Sequence, residues 1–270
     1  MAARYPERIV CLTEETTETL YLLGEERRIV GISGYTVRPA RARREKPRVS
    51  AFLSAKTDRI LALQPDLVLG FSDLQADIAR ELAKAGLSVV LFNQRSVQQI
   101  LDMILMLAAM VGAAERGARL VAELEEGLSG IRRSADDFPF RPRVYFEEWD
   151  EPMISGIRWV SELIAIAGGE DVLEDLSRSA AASGRIHDGA RVVAARPDVI
   201  LASWCGKKFR PERVRAREGW DAIPAVREGR LFEVKSADIL QPGPAALTDG
   251  VRRVHEILRD SVSRAPRTRP

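Results

Sequence analysis

Short apolar runs alternate with amphipathic segments from the first residues onward. Arg8–Leu12 reads as a strand and Glu14–Leu23 as a helix, with Thr13 in the capping position, acids in the first turn and Gly24 as the stop. Ile29–Ser33 is the next strand, followed by a loop rich in Arg and Pro from Tyr35 to Pro47. The pattern then predicts helix Ala55–Leu63, strand Asp66–Phe71, helix Leu74–Ala85 and strand Ser88–Phe92. Ser96 and Gln99 have the spacing of a capping box ahead of an apolar helix that starts near Val97. Strands that alternate with helices in this way specify a parallel α/β architecture.

Gly112 interrupts the pattern, and a long helical stretch runs from Ala114 to about Asp136 with Leu120, Leu124, Leu128 and Ile131 on one stripe. At 1.5 Å per residue it is roughly 35 Å long. Strand–helix alternation restarts at Arg143–Glu147, after Phe138-Pro139-Phe140-Arg141-Pro142. The second half repeats the first: Arg59 to Leu69 aligns with Arg191 to Leu201, each a helix ended by Pro-Asp and followed at once by an apolar strand. Proline stops the helix, and the unbroken apolar run suits a strand buried on both faces. The reading is two similar α/β lobes, 1–112 and 139–270, joined by one connecting helix at 113–138.

Composition narrows the chemistry. The chain has 270 residues, 46% hydrophobic and 30% charged, with 41 Lys plus Arg against 39 Asp plus Glu, a net charge of +2. That balance gives no basic face for nucleic acid, and the run Arg38 to Arg48 has neither aromatics nor a groove-entering helix beside it. The longest apolar run, Met103–Gly112, is about half of the roughly 20 residues that span a bilayer. The N-terminus shows no apolar core of the about 7–15 residues found in a signal peptide. As the sequence stands this reads as cytoplasmic, and as periplasmic only if a leader precedes it. Two cysteines, Cys11 and Cys205, exclude a disulfide framework, and two histidines, His187 and His255, speak against a multi-histidine metal site.

The order of these segments across the chain resembles the substrate-binding proteins of ABC importers for cobalamin, siderophores and haem. The matching stretches are Arg8-Ile-Val-Cys-Leu-Thr13, Ile29 to Tyr35, Asp58 to Gly70, Ser161 to Gly169, Arg196 to Leu201 and Trp220 to Phe232; the cobalamin-binding members are the nearest subgroup. The resemblance implies a fold of two Rossmann-like parallel-sheet lobes joined by a single long α-helix. It places the ligand in the cleft between lobes, gripped by loops at the carboxyl ends of the strands. It also implies one acid per lobe that docks on permease arginines: Glu162 holds the second-lobe position, and Asp58 stands where the family usually has Glu. Read as ordinary residues, both are helix N-terminal acids.

Mapping strand ends onto such a cleft gives Glu15, Tyr35, Arg38, Ser72, Gln94 and Arg95 from the first lobe, alongside Thr13, Glu14, Phe71, Asp73 and Asn93. The second lobe gives Glu148, Trp149, Arg158, Trp159, Trp204, Cys205, Lys207 and Gln241, with Glu147, Lys208 and Pro242 as neighbours. Three of the four tryptophans are on this list, where a large flat ligand wants aromatic walls; each serves equally well as packing. Glu147-Glu148-Trp149-Asp150-Glu151 gathers four carboxylates that need cations or water, and Arg95, Arg158, Lys207 and Lys208 are the expected cations. Lysines beside Cys205 are expected to lower its thiol pKa.

The leading function is a non-catalytic binder of a large metal chelate, corrinoid by resemblance, with no required cofactor. A ferric-siderophore binder is the alternative ligand class, and Tyr35 is available as an axial donor for a haem. A cytosolic carrier or sensor derived from the transport family is a second reading. A thiol enzyme using Cys205 with Glu148 as proton acceptor is the third, and no nucleophile elbow, P-loop or GxGxxG supports it.

Overall fold

The computed structural model describes residues 5–52 and 54–263. Residues 1–4, the start of the N-terminal stretch read above, and 264–270 lie outside that description. The chain divides into two compact units: 1–94, 98–124 and 241–244 form the first, and 95–97, 125–240 and 245–270 the second. The boundary between them falls within the long helical stretch, and the tetrapeptide Gln241–Pro244 belongs to the first unit.

The first unit is built from β1 (Ile9–Cys11), α1 (Glu14–Leu22), β2 (Ile29–Ser33), α2 (Ala42–Glu45), β3 (Arg48–Ser50), α3 (Thr57–Ala62), β4 (Leu67–Phe71), α4 (Ala76–Lys84) and β5 (Val89–Phe92). Helix α5 (Val97–Met110) and the long α6 (Ala114–Asp136) follow. The strands pair in the order β3-β2-β1-β4-β5, all parallel. β1 and β4 are buried along their whole length, which their unbroken apolar runs require. Val10, Leu12, Val49, Ile60, Val68 and Leu82 pack into one core cluster. Gly24 stops α1 at φ +70, a conformation that a side chain rarely tolerates.

The second unit contains β6 (Arg143–Asp150), β7 (Met153–Ser155), α7 (Arg158–Ile166), β8 (Glu170–Asp171), α8 (Glu174–Ser177) and α9 (Gly189–Ala195). It continues with β9 (Val199–Ala202), α10 (Pro211–Arg215), α11 (Pro224–Arg227), β10 (Leu231–Glu233), α12 (Ser236–Ile239) and α13 (Val251–Ser263). Its sheet order is β10-β9-β6-β7, with β8 beside the start of β6. β8, β9 and β10 run parallel, whereas β7 folds back antiparallel on the end of β6. Tyr145, Ile200, Trp204, Val214 and Trp220 centre its core.

Most predicted elements stand within a residue or two. Three details differ. The Arg-Pro loop contains the short α2. Thr13 makes no side-chain cap to α1; its hydroxyl donates to Glu15 Oε1 at 2.5 Å instead. β6 runs on to Asp150 because β7 pairs with its end, so three of the clustered acids lie on the strand itself. No described helix is long and apolar enough to cross a membrane.

Candidate functional site

In each sheet the chain leaves the central strand in one direction and, after a later strand, in the other. In the first sheet β1 leads to β2 and β4 to β5, so the loops after β1 and β4 diverge. In the second the corresponding pair is β6 and β9. Ligands of open α/β sheets bind outside the carboxyl ends of strands at such a switch point.

At the first switch point, the residues leaving β1 form the start of α1. Glu14, Glu15, Thr16, Thr17, Glu18 and Thr19 are all buried. Glu14 Oε2 accepts the Val37 N–H at 2.8 Å, and Arg38 pairs with Glu18 at 2.9 Å. Glu14 Oε1 and Glu15 Oε2 are buried without a partner. The first helical turn favours negative charge by about 0.3–1 kcal/mol, less than the several kcal/mol lost on burying an ion. Burial therefore pushes Glu14 up to about 8 and Glu15 to about 7. Across the switch point Ser72 sits at φ +75, outside the usual range of a non-glycine residue, with its Oγ accepting the Leu74 N–H at 3.1 Å. Gln94, after β5, is buried and donates to Pro242 O at 2.9 Å. Glu15, Ser72 and Gln94 are thus enclosed, whereas Tyr35 and Leu74 stand 62% and 61% exposed, with Val37 also exposed. Leu74 and Val37 were not among the expected contacts; the mark they carry is an apolar side chain in a polar strand-end loop. Asp58 is exposed at the start of α3.

The second switch point treats its acids differently. Glu147 is fully buried and receives four donors: two from Arg217 at 2.5 and 2.9 Å, Trp204 Nε1 at 2.9 Å and the Tyr145 hydroxyl at 2.8 Å. The β6–β7 register shifts between Glu147 and Trp149, leaving Glu148 as the extra residue; such a bulge re-aims a side chain. Glu148 is held by the buried Arg185 at 2.6 and 3.1 Å. Burial alone would raise Asp150, but Lys207 and Arg213 beside it hold it below the usual carboxylate range. The Lys207 ammonium lies 3.9 Å from the centre of the Trp149 ring.

Of the expected cations, Lys207 reaches the cluster, on Asp150. Arg158 instead pairs with Glu162 at 2.8 Å, and Lys208 is exposed. The other partners are Arg185, Arg213 and Arg217. Arg213 and Arg217 carry a readable sign, a spacing of four beyond a strand-end loop; Arg185 carries none. Trp159 and Trp204 are core residues, donating to Ile239 O and Glu147 at 2.9 Å each. Cys11 is buried and its thiol pushed up to about 12. Cys205 is exposed, but its thiol is raised by partial burial and by Glu148, not lowered by lysines: the nearer one, Lys207, is engaged with Asp150 and Trp149. A groove of about 800 Å³ opens beside Asp150, Met153, Gly189, Val193, Arg213 and Trp220, and none of the expected ligand contacts lines it. Among the described residues, no group of three His, Cys, Asp or Glu is placed to hold a metal ion. Glu162 accepts the Val97 N–H at 2.6 Å.

Comparison with known proteins gives the following. A family model described as periplasmic binding protein matches residues 9–237. The chain is 24% identical over 252 residues to a vitamin B12-binding protein of Vibrio parahaemolyticus, covering 92% of this chain and 88% of that one. It is 24% identical over 260 residues to the uncharacterized ABC transporter substrate-binding lipoprotein YvrC of Bacillus subtilis, covering 93% and 79%. Among solved structures, the periplasmic heme-binding protein RhuT of Roseiflexus sp. RS-1 superposes with a TM-score of 0.77 at 25% identity, covering 93% of this chain and 99% of that one. The periplasmic vitamin B12 binding protein BtuF of Vibrio cholerae gives a TM-score of 0.75 at 22% identity over 95% and 98%, a likeness of fold.

Proposed function

The chain belongs to the periplasmic binding protein family, and from that premise we propose that it is a non-catalytic binder of a large metal chelate, a corrinoid first of all. The observation that carries the reading is full-length similarity to a protein named for vitamin B12 binding, at 24% identity over 92% of this chain. Two features of the strand-end loops support it. Tyr35, Val37 and Leu74 present exposed apolar surface at the first sheet, and half-buried Trp149 with Lys207 does so at the second. A corrin combines broad apolar faces with polar amide edges, and surfaces of this mixed kind suit it. Each unit taken by itself offers candidate contacts at its strand ends: Tyr35, Arg38 and Leu74 in the first, and Glu148, Trp149, Cys205 and Lys207 in the second. Glu15, Ser72, Gln94, Trp159 and Trp204 shape those loops from beneath.

Haem is the second reading, favoured by the exposed phenol of Tyr35 and the 25% identity to RhuT. Delivery to an ABC permease follows from the family, with Asp58 and Glu162 as the docking acids; cell fractionation of the native organism decides on which side of a membrane this happens.

The test mixes the purified protein with hydroxocobalamin, haemin or a ferric siderophore, desalts it and records the visible spectrum. Retained corrinoid bands are expected, weakened in Tyr35→Ala and Trp149→Ala and unchanged in the Asp58→Ala, Glu162→Ala double variant. Retention of haemin alone replaces the ligand class, and retention of none of the three overturns the reading.

A further inference from the structure

We propose that Gln241–Pro244 is a proton-dependent strap over the exit of β1, seated while Glu15 is a neutral carboxylic acid and lifted when Glu15 ionises. The inference goes beyond the binding function and holds whichever ligand is taken.

The segment lies directly on the first switch point. A Cβ built on Gly243 would sit 2.4 Å from Glu15 Cβ and 3.1 Å from Glu15 Cα, so only glycine fits this approach. Pro242 O accepts from Gln94 Nε2 at 2.9 Å, which fixes the other side of the segment on the loop after β5. Pro242, Gly243 and Pro244 are all buried.

The Pro-Gly-Pro part of the strap has no backbone N–H to give an ionised carboxylate. Pro242 and Pro244 carry no N–H, and the Gly243 N–H is turned onto Gln241 O at 2.8 Å. Glu15 is 1% exposed; its Oε1 takes the Thr13 hydroxyl, and its Oε2 has no partner. The charged and titratable groups around it do not offset a charge there. On α1 these are Glu14 and Glu18, both acids. From the loop after β2 comes Arg38, ion-paired with Glu18. Below lies the Cys11 thiol, with Lys46 acting on it from the approach to β3. An ionised Glu15 thus faces two more acids beneath a Pro-Gly-Pro segment whose one backbone N–H is already engaged, and lifting that segment opens it to water. A carboxyl whose proton is held more tightly under the strap than in water makes strap opening rise with pH.

Hydrogen–deuterium exchange of the ligand-free full chain, followed by NMR between about pH 6 and pH 9, tests this. After correction for the intrinsic exchange rate, protection of the Gly243 amide is expected to fall about tenfold across that range. Protection of the Leu12 amide, which bonds to Leu69 O in the core of the same unit, should hold. In Glu15→Gln the Gly243 protection should no longer depend on pH. Flat protection in the wild type, a fall that Leu12 shares, or a fall that persists in Glu15→Gln overturns the proposal. Should Glu15→Gln fail to fold, the carbon-13 shift of the wild-type Glu15 carboxyl decides: it must titrate together with the loss of protection, and titration in the ordinary carboxylate range overturns the strap.

Discussion

The amino edges of the two sheets are built alike, and their carboxyl edges are not. At the amino edge of the first, Asp66 accepts the N–H groups of Glu7 and Arg8 at 2.8 and 2.9 Å, and its own N–H returns to Arg8 O at 2.9 Å. In the second, Asp198 accepts the Arg143 N–H at 2.8 Å and donates back to Arg143 O at 2.8 Å. Each Pro-Asp pair therefore clamps the start of the central strand, and each is preceded by a left-handed residue, Gln64 at φ 48 and Arg196 at φ 49. The carboxyl edges depart from this symmetry in how they bury acid. Glu14 and Glu15 are buried without an ion-pair partner and hold their protons more tightly, whereas Glu147, Glu148 and Asp150 are paired with arginines and a lysine. One topology thus carries two electrostatic solutions, and the part that is repeated is the joint that makes the sheet.

The largest effect of a single substitution should come from separating a buried ion pair at the second edge. Arg217→Met leaves Glu147 buried with only the Tyr145 and Trp204 donors, and removal of one partner of such a pair costs about 3–5 kcal/mol. Adding Glu147→Gln removes the charge and should recover most of the loss. All four tryptophans lie in the second unit, so urea unfolding followed by tryptophan fluorescence reads this directly. A loss under about 1 kcal/mol in the single variant would mean that the pair is solvated and the contrast between edges false.

The first edge should respond to pH with the opposite sign. Glu14 and Glu15 are raised to about 8 and about 7, so their contribution to stability is complete below the unfolded value near 4.5 and is lost as pH rises through 7 to 8. Asp150 is lowered, so its contribution is present above its unfolded value near 3.8 and lost on acidification. In the Glu14→Gln, Glu15→Gln double variant, stability relative to wild type should grow between about pH 5.5 and pH 8.5 by on the order of 5 kcal/mol. Far-ultraviolet circular dichroism of urea unfolding at the two pH values measures it, and a difference that does not change with pH removes the neutral-acid assignment.

What could be read from the sequence was what is local. The unbroken apolar runs specified β4 and β9, the glycine at 24 and the Pro-Asp pairs marked the ends of elements, and the stripe Leu120, Leu124, Leu128 and Ile131 marked α6. Partners that meet only in the folded chain were not legible. Glu147 and Arg217 are 70 residues apart, and the acids of 147–150 gave no hint of which of many arginines each would take. The return of Gln241–Pro244 onto Glu15 is likewise a property of the tertiary fold, although a glycine between two prolines marks an unusual backbone. Cys205 shows a related limit: adjacent lysines lower a thiol pKa only if their ammonium groups stay near it, and Lys207 turns to Asp150.

The smallest effect tests whether the two Pro-Asp joints are physically equivalent. Gln64 and Arg196 are both exposed, so replacing either by glycine removes little side-chain contact. A left-handed conformation costs a side-chain-bearing residue roughly 1–2 kcal/mol, and glycine gives back roughly 0.5–1 kcal/mol of that through its freer unfolded chain. Gln64→Gly and Arg196→Gly should therefore each be neutral to stabilising, by up to about 1 kcal/mol, and should agree within about 0.5 kcal/mol. Urea unfolding resolves both, by circular dichroism for the first unit and tryptophan fluorescence for the second. A gain at one joint with a loss at the other would show that equal dihedral angles hide different strain, and the amino edges would then be alike in shape without being alike in energy.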